Sequence, residues 1–411
     1  MAPTCPGAFN MARTFLDDPV ERHADRPALL CDGQVLTYAE LQRLSNRVGN
    51  ALAGLGVGRG DRVLMVMPDS FAFAASIFGT LKIGAVVAML NVILSSRDYA
   101  AYLDYSRPRV VLVHPMAEER VRRALARCEH SPRVVVGHLD GELGRLAARA
   151  GDALEAAATR RDEAAMWLFT SGTTGRAKAA VHTHADFPFT HERYARPILG
   201  YRPGDVMVSA PKLYFGYATG TNLFYPLAAG ATAVMIPERS TPEVMVQAIE
   251  AHGATMFTAV PTMLNRMLAL PDLARRDLSS LRLCTSAGEA LPGPVHRRWL
   301  EVAGAEILDG IGSAEMAHIY ISNRPGAARI GSLGQLVSGY RARLVGPDGA
   351  EVPPGQIGRC LVRGGSAALR YWDEPGASAA VFRADGWVVT ADMMRRDEDG
   401  FYWYEGRADD L

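Results

Sequence analysis

The sequence predicts an α/β protein with two doubly wound, mainly parallel sheets covered by helices, and a smaller, mostly β lobe after them. Apolar strand-like segments alternate with helical patterns up to about Arg324, which is typical of parallel sheets buried on both faces. Beyond that point glycines, prolines and short strand-like runs replace the helical periodicity. A chain of 411 residues is also too long for one simple core.

Turn and capping signals define the first elements. Leu29–Leu36 is predicted to be a hairpin with Asp32-Gly33 at its turn. Thr37 and Glu40 form a capping box, and the helix that it opens is predicted to end near Gly56. Ala-rich helices are expected from about residue 143 to residue 158. Further strands are predicted at Val63–Met67, Arg109–Val113, Arg133–Val136, Met166–Phe169, Val206–Ser209, Thr232–Ile236, Thr255–Thr258, Leu281–Thr285, Trp387–Thr390 and Phe401–Tyr404.

The change in pattern divides the chain. Residues 1–324 are expected to form two α/β lobes, residues 325–405 the mostly β lobe, and residues 406–411 a hinge. The uncharged stretch Leu213–Pro237 is long enough to suggest a membrane span, but its glycines, prolines and threonines fit a buried helix, turn and strand better.

Charge and cysteine content exclude several classes of function. Forty-four basic and 44 acidic side chains cancel, which argues against a nucleic acid or an anionic membrane as partner. The five cysteines are scattered and form no Cys-x-x-Cys or Cys/His cluster, so neither a disulfide framework nor a zinc site is indicated. No signal sequence opens the chain. These features together favour a soluble cytoplasmic enzyme.

Hydroxyls and glycines ending in a lysine mark a candidate phosphate-binding loop between two strand-like segments. Backbone amides at glycines, hydroxyl donors and one ammonium group suit a polyanion. The G-x-x-x-x-G-K-[ST] pattern of the P-loop is absent. A flexible surface turn rich in small residues is the alternative. The loop reads Thr170-Ser171-Gly172-Thr173-Thr174-Gly175-Arg176-Ala177-Lys178.

Two later segments follow apolar strands. Thr285–Pro292 is rich in small residues that would let a flat ring lie against the backbone at the carboxyl end of a sheet, although a tight strand-to-helix turn explains it equally. Ile307–Met316 ends in glycines, a hydroxyl and a carboxylate. There Glu315 could bind magnesium and Ser313 could donate to a phosphate. The alternative for Glu315 is a first-turn carboxylate stabilised by the helix dipole.

A third segment pairs Thr390-Ala391-Asp392 with the downstream Gly406-Arg407. An aspartate can accept hydrogen bonds from both hydroxyls of a ribose, and an arginine can reinforce that contact. Taken alone, each charge could simply be solvated. The whole interpretation requires Lys178, Glu315 and Asp392 to lie around one site.

In this order, the four segments resemble the core motifs of the adenylate-forming superfamily, which includes acyl-CoA synthetases, luciferases and adenylation domains. The resemblance implies that the smaller lobe is a distorted β-barrel and that Thr170–Lys178 holds the phosphates of ATP, with Lys178, Thr170, Glu315 and Ser313 as catalytic residues and Glu315 on magnesium. It also implies a nucleotide site formed by the loop residues Ser171, Gly172, Thr173, Thr174 and Gly175 together with Ser286, Ala287, Gly288, Glu289, Asp309, Gly310, Ile311, Asp392 and Arg407.

Within that superfamily the chain is most similar to benzoate-CoA ligases. The segments Lys212–Tyr217, Ser286–Leu291, Asp309–Met316, His318–Asn323 and Gly406–Leu411 carry the likeness. It implies an acid pocket with apolar walls and small residues where an aromatic ring lies flat. The implied pocket residues are Gly216, Tyr217, Gly288, Gly312, His318 and Ile319, although ordinary core packing also explains Tyr217 and Ile319 and a structural role explains His318.

The resemblance implies ATP-dependent adenylation of an aromatic acid, followed by transfer to coenzyme A. Members of the superfamily normally continue into a mobile C-terminal domain that carries a catalytic lysine. Since the chain ends at Leu411, that domain is expected to be absent, adenylation slow and thioester formation weak. Delivery to a carrier-protein thiol, or a non-catalytic nucleotide- or aryl-binding module, are the alternatives. A homodimer is also possible.

Overall fold

A computed structural model describes residues 7–170 and 178–408. The strands are β1 Pro27–Cys31, β2 Gln34–Thr37, β3 Arg62–Val66, β4 Val86–Met89, β5 Val110–Val113, β6 Arg133–Val136, β7 Ala164–Thr170, β8 Lys178–Thr183, β9 Val206–Ser209, β10 Thr232–Val234, β11 Met256–Ala259, β12 Leu283–Ser286, β13 Glu306–Gly312, β14 Ile319–Ser322, β15 Gly334–Leu336, β16 Arg341–Val345, β17 Ile357–Arg363, β18 Val388–Arg396 and β19 Phe401–Arg407.

The α-helices are α1 Asp18–His23, α2 Tyr38–Gly54, α3 Phe71–Lys82, α4 Ser96–Ser106, α5 Pro115–Leu125, α6 Glu142–Arg149, α7 Asp186–Thr190, α8 Gly216–Thr219, α9 Tyr225–Ala228, α10 Pro242–His252, α11 Pro261–Leu268, α12 Gly293–Ala303 and α13 Pro375–Val381. Three π-helical segments, Arg13–Asp17, His191–Leu199 and Gly220–Phe224, and two 3₁₀ turns, Leu273–Arg275 and Ala314–Met316, complete the described elements.

The first sheet has the strand order β6-β5-β3-β4-β7-β8. Its strands are parallel except for β8, which pairs antiparallel with β7. The central strands read as continuous apolar runs because helices cover both faces of a parallel sheet. The β7–β8 hairpin brings Thr170 opposite Lys178, so the candidate phosphate loop connects two paired strands at the edge of this sheet.

The second sheet confirms the predicted α/β alternation and joins it to the smaller lobe. Strands β13-β12-β11-β9-β10-β1 run parallel, with β2 antiparallel at one edge. At the other edge β14, β15, β19, β18, β17 and β16 continue the same sheet by antiparallel pairing. The barrel expected for this lobe does not close: among the described strands the lobe is an open extension that joins β13 through β14 and ends at β16.

Local signals explain where the N-terminal elements begin. The predicted hairpin is β1–β2, and the Thr37–Glu40 capping box is present, with each residue accepting from the other's backbone amide. The helix that it opens, α2, packs tightly on the fully buried α3. A Cβ on Gly79 would lie 2.7 Å from the backbone nitrogen of Gly49, so the two helices cross where neither has a side chain.

One further expectation needs correction and another is confirmed. The Ala-rich stretch forms only the short helix α6, after which residues 150–161 have no regular structure, because no amphipathic face continues beyond Arg149. The uncharged stretch Leu213–Pro237 folds as the expected short buried helical segments, turn and strand. None of the helices in the described part of the chain is long and apolar enough to cross a bilayer.

Candidate active site

A cavity of about 490 Å³ opens at the carboxyl ends of the parallel strands of the second sheet. It is formed where the ends of β12 and β13 meet α8 and the start of β14. All six residues predicted for an acid pocket line it, although their role in binding an acid stays a prediction. The lining consists of Leu168, Phe169, Ala210, Pro211, Tyr214, Phe215, Gly216, Tyr217, Ser240, Val260, Met263, Ala287, Gly288, Gly312, Ser313, Ala314, Ala317, His318 and Ile319.

The walls of this cavity are close to neutral. Within the described part of the chain no lining residue carries a carboxylate, an ammonium or a guanidinium group. Burial lowers the pKa of His318 to about 4, so its imidazole is neutral near pH 7. Its Nε2 lies 3.1 Å from the Tyr217 carbonyl and must carry the proton, because a carbonyl only accepts. His318 is thus an uncharged part of the wall.

Tyr217 is held in place by its own hydroxyl. The phenol donates to Thr285 Oγ1 at 2.9 Å, and Thr285 donates in turn to Thr258 Oγ1 at 3.2 Å. The ring centroid of Tyr217 lies 5.5 Å from that of His318. Hydrogen bonds thus hold both aromatic side chains of this wall, which suits a preformed pocket.

On the side of the cavity opposite Tyr217, glycines allow the backbone to lie close to neighbouring groups. A Cβ on Gly312 would lie 2.5 Å from the His318 carbonyl oxygen, and one on Gly216 would lie 2.6 Å from Leu168 Cδ1. Gly288 has φ +88°, and a Cβ there would make only an ordinary contact of 3.9 Å with Val260 Cγ1. Glycine is therefore required sterically at Gly312, where the neighbour is backbone, and conformationally at Gly288, whereas at Gly216 the Leu168 side chain would have to move.

Ser286 and Asp309 face each other across neighbouring strands β12 and β13. Both are buried, and a hydrogen bond from the Ser286 hydroxyl to the Asp309 carboxylate connects the two strands. Burial raises the pKa of Asp309 to about 7. The next two residues of β13, Gly310 and Ile311, pair with β14.

Glu315 is connected to the phosphate-loop hairpin through Tyr371. The phenol of Tyr371 donates to Glu315 Oε1 at 2.6 Å, and Lys178 Nζ lies 5.6 Å from the centre of the Tyr371 ring. The half-buried Glu315 carboxylate fits magnesium, a hard cation that one or two carboxylates bind together with phosphate oxygens. No group of three or more metal-ligating side chains occurs within residues 7–170 and 178–408, and this mode of binding does not need one.

Asp392 and Arg407 are cross-strand partners on β18 and β19. Burial raises the pKa of the Asp392 carboxyl, Arg407 opposes that rise, and the negative charge of Glu315 adds to it. Tyr371 lies between Glu315 and Lys178, and the charge of Glu315 acts on Asp392; that the three residues bind one ligand stays a prediction.

Some of the residues predicted to bind the nucleotide make other contacts or lie outside the described residues. Ser171, Gly172, Thr173, Thr174 and Gly175 lie outside the described residues. Glu289 is turned towards α11, where its carboxylate accepts from the Thr262 amide at 2.9 Å and from the Thr262 hydroxyl at 2.5 Å. Its role as a nucleotide ligand stays a prediction, and the structure gives it a helix-capping contact instead.

Sequence reasoning missed part of the cavity wall and the link to Glu315. Val260 and Met263 line the cavity just after β11, and Leu168 does so from β7. The rule that ligands lie at the carboxyl ends of parallel strands could have pointed to the residues after β11. Tyr371 belongs to a segment without a glycine-rich pattern, and no signal in the sequence marked it.

Comparison with known proteins agrees with this geometry. Residues 16–372 match the family described as "AMP-binding enzyme". The chain belongs to the AMP-binding enzyme family. A benzoate–CoA ligase of Thauera aromatica is 42% identical over 384 residues, which are 92% of this chain and 73% of that protein.

Two solved structures of the AMP-binding family superpose on the chain. The anthranilate CoA ligase AuaEII in complex with anthranoyl-AMP has a TM-score of 0.95 and 36% identity, over 99% of this chain and 79% of that one. A benzoate CoA ligase from Burkholderia xenovorans LB400 has a TM-score of 0.92 and 37% identity, over 98% and 80%. Both superpositions include both sheets and the β lobe, and they confirm the predicted fold and family.

Proposed function

We propose that the protein activates an aromatic monocarboxylic acid with ATP, releasing pyrophosphate, and transfers the acyl group from the adenylate to coenzyme A. The observation that carries the proposal is an apolar cavity of about 490 Å³ with uncharged walls, close to Lys178 and Glu315. Membership of the AMP-binding family supports the adenylation, and the likeness to benzoate and anthranilate CoA ligases supports the acid and the acceptor.

The cavity favours acids with a single charge. A second carboxylate or a sulfonate would be desolvated against walls such as Val260, Met263 and Ile319, where no described side chain offers a counter-charge. An aromatic ring, by contrast, gains apolar contact with these residues and with Tyr217. Benzoate and its neutral-substituted derivatives are therefore the proposed substrate class.

The first step needs orientation more than proton transfer. With a pKa of roughly 4 an aryl carboxyl is ionised near neutrality, so no general base is required. One carboxylate oxygen attacks the α-phosphorus, and the bond to the pyrophosphate oxygen breaks. Lys178 is proposed to contact the phosphates, and Ser313, at the cavity wall, to donate to a phosphate oxygen. Magnesium held by Glu315 would add positive charge at the phosphate oxygens.

The nucleoside half is proposed to lie between β12–β13 and the β lobe. Asp392 and Arg407 would bind the ribose, and the backbone from Ser286 to Gly288 would face the adenine. In the second step the thiolate of coenzyme A attacks the acyl carbon, the mixed anhydride bond breaks, and AMP leaves. The thiol proton passes to solvent. A cytoplasmic location and a homodimeric state stay predictions from the sequence.

Pyrophosphate exchange tests the proposal. The protein is incubated with ATP, magnesium, labelled pyrophosphate and one acid from a panel of benzoate, hydroxybenzoates, aminobenzoates, malonate and sulfoacetate. We expect label to enter ATP with the aromatic acids and not with the doubly charged ones. Tight binding of a benzoyl-adenylate mimic without exchange would instead indicate a binding module. Addition of coenzyme A or of a carrier protein then identifies the acceptor thiol by mass spectrometry.

A further inference from the structure

The segment from Ala368 to Trp372 runs antiparallel beside β8, the strand that follows the phosphate loop. Three backbone hydrogen bonds of 2.9 Å fix it: Leu369 N–H to Val181 O, Val181 N–H to Arg370 O, and Trp372 N–H to Ala179 O. The segment is also joined to the other half of the site, because the Ala368 amide donates to the Glu315 carbonyl at 2.8 Å.

Tyr371 is the side chain that this segment points into the site. Its ring packs on Phe382 with centroids 5.1 Å apart and against Ala180, and only 6% of the residue is exposed. Its hydroxyl donates to Glu315 Oε1.

The same ring lies under the ammonium group of Lys178. The Nζ of Lys178 is 5.6 Å from the ring centre, within the range of a cation–π contact. One tyrosine therefore contacts both the proposed metal ligand and the proposed phosphate cation, and three backbone hydrogen bonds hold it between them.

We propose that Tyr371 is a positioning residue for magnesium–ATP. Its hydroxyl fixes the Glu315 carboxylate so that the oxygen outside this hydrogen bond faces the metal, and its ring limits where Lys178 can place its charge. This inference rests on the proposed function only in assigning magnesium–ATP to the site. Residues that orient a metal ligand commonly change metal affinity or activity by about 10- to 100-fold when they are removed.

The test compares Tyr371→Phe with the wild-type protein and with Tyr38→Phe. Tyr38 is a matched control, because it is a buried tyrosine in α2 whose hydroxyl donates to the Leu227 and Ala231 carbonyls, and it lines no part of the cavity. ATP binding is titrated by calorimetry at several magnesium concentrations, and the unfolding midpoint of each variant is recorded.

We expect Tyr371→Phe to need about tenfold more magnesium for half-maximal ATP binding, and benzoate binding to stay unchanged. Tyr38→Phe should lower the unfolding midpoint without changing the magnesium requirement. Equal magnesium dependence in the wild type and in folded Tyr371→Phe would overturn the proposal. An equal increase in the magnesium requirement of Tyr38→Phe would also overturn the proposal, since it would indicate a general effect of lower stability.

A double-mutant cycle supplies a second measurement. In a Glu315→Gln background, Tyr371→Phe should add little to the loss of magnesium–ATP affinity, because the carboxylate that it orients is gone. Fully additive losses would contradict the positioning role. ATP binding is measured without an acid. Failure of pyrophosphate exchange would therefore refute the proposed function without changing the interpretation of this test.

Discussion

Replacing Tyr217 by alanine should change which acids the protein accepts and leave its use of ATP almost unaltered. Tyr217 forms one face of the cavity, packs beside His318 and donates its hydroxyl to Thr285. None of its described contacts reaches Lys178, Glu315 or Asp392. The alanine variant removes the ring and opens that wall, whereas Tyr217→Phe removes only the hydroxyl and serves as the matched control.

The size of the effect follows from the contact that the substrate ring loses. About 50 Å² of apolar contact at roughly 25 cal/mol per Å² amounts to about 1.3 kcal/mol. The geometry of an aromatic pair adds about 0.5–1.5 kcal/mol. The sum of about 2–3 kcal/mol corresponds to a loss of about 30- to 160-fold in kcat/KM for benzoate. Tyr217→Phe should cost only about 1 kcal/mol of stability, from one hydrogen bond.

Pyrophosphate exchange measures both variants against benzoate, 2-substituted benzoates and naphthoates, with ATP varied separately. We expect Tyr217→Ala to lose benzoate activity and to gain relative activity with the bulkier acids, while the KM for ATP stays within about twofold, less than 0.5 kcal/mol. If Tyr217→Ala raised the KM for ATP and left the order of acids unchanged, the acid site would have to lie elsewhere.

Three other substitutions test separate parts of the structure. Lys178→Ala should raise the KM for ATP by about tenfold or more with little effect on the unfolding free energy, since its cation–π contact with Tyr371 is worth about 0.5–1 kcal/mol; an unchanged KM would remove the loop lysine from ATP binding. Asp309 has a folded-state pKa of about 7, above its unfolded value, so its contribution to stability is present at low pH and is lost as the pH rises from about 4 to 7. Relative to Asp309→Asn, the wild type should therefore lose about 2–3 kcal/mol in urea unfolding between pH 5 and pH 8, and a constant difference would contradict this. Gly312→Ala should destabilise the fold by about 3 kcal/mol, because its Cβ would meet immobile backbone at 2.5 Å, whereas Gly376→Ala, with open space, should be neutral or slightly stabilising in the same assay.

Local signals were enough for many elements. The Asp32-Gly33 turn, the Thr37–Glu40 capping box and the apolar strand Val206–Ser209 lie where the residues predicted them, because each depends on neighbours within a few positions. The Ala-rich stretch after Leu143 shows the limit. High helix propensity without an apolar face to bury does not extend a helix beyond α6.

Pairing between strands that are distant in the sequence could not be predicted from such local signals. The first hairpin joins the second sheet through β1 and β10, which are about 200 residues apart, and the β lobe extends that sheet instead of closing into a barrel. Strand order depends on which edges are left unpaired once the helices have packed, and no local pattern records this.

The glycines, hydroxyls and charges of the candidate site were determined by the sequence itself, because close backbone approach and phosphate or metal contact each demand particular residue types. Only the tertiary structure decided that Val260, Met263 and Leu168 complete the cavity wall, that Glu289 caps α11, and that Tyr371 joins Glu315 to the surroundings of Lys178. Those contacts connect residues on separate strands and loops, so they arise when the sheets and the β lobe pack together and have no counterpart in local spacing.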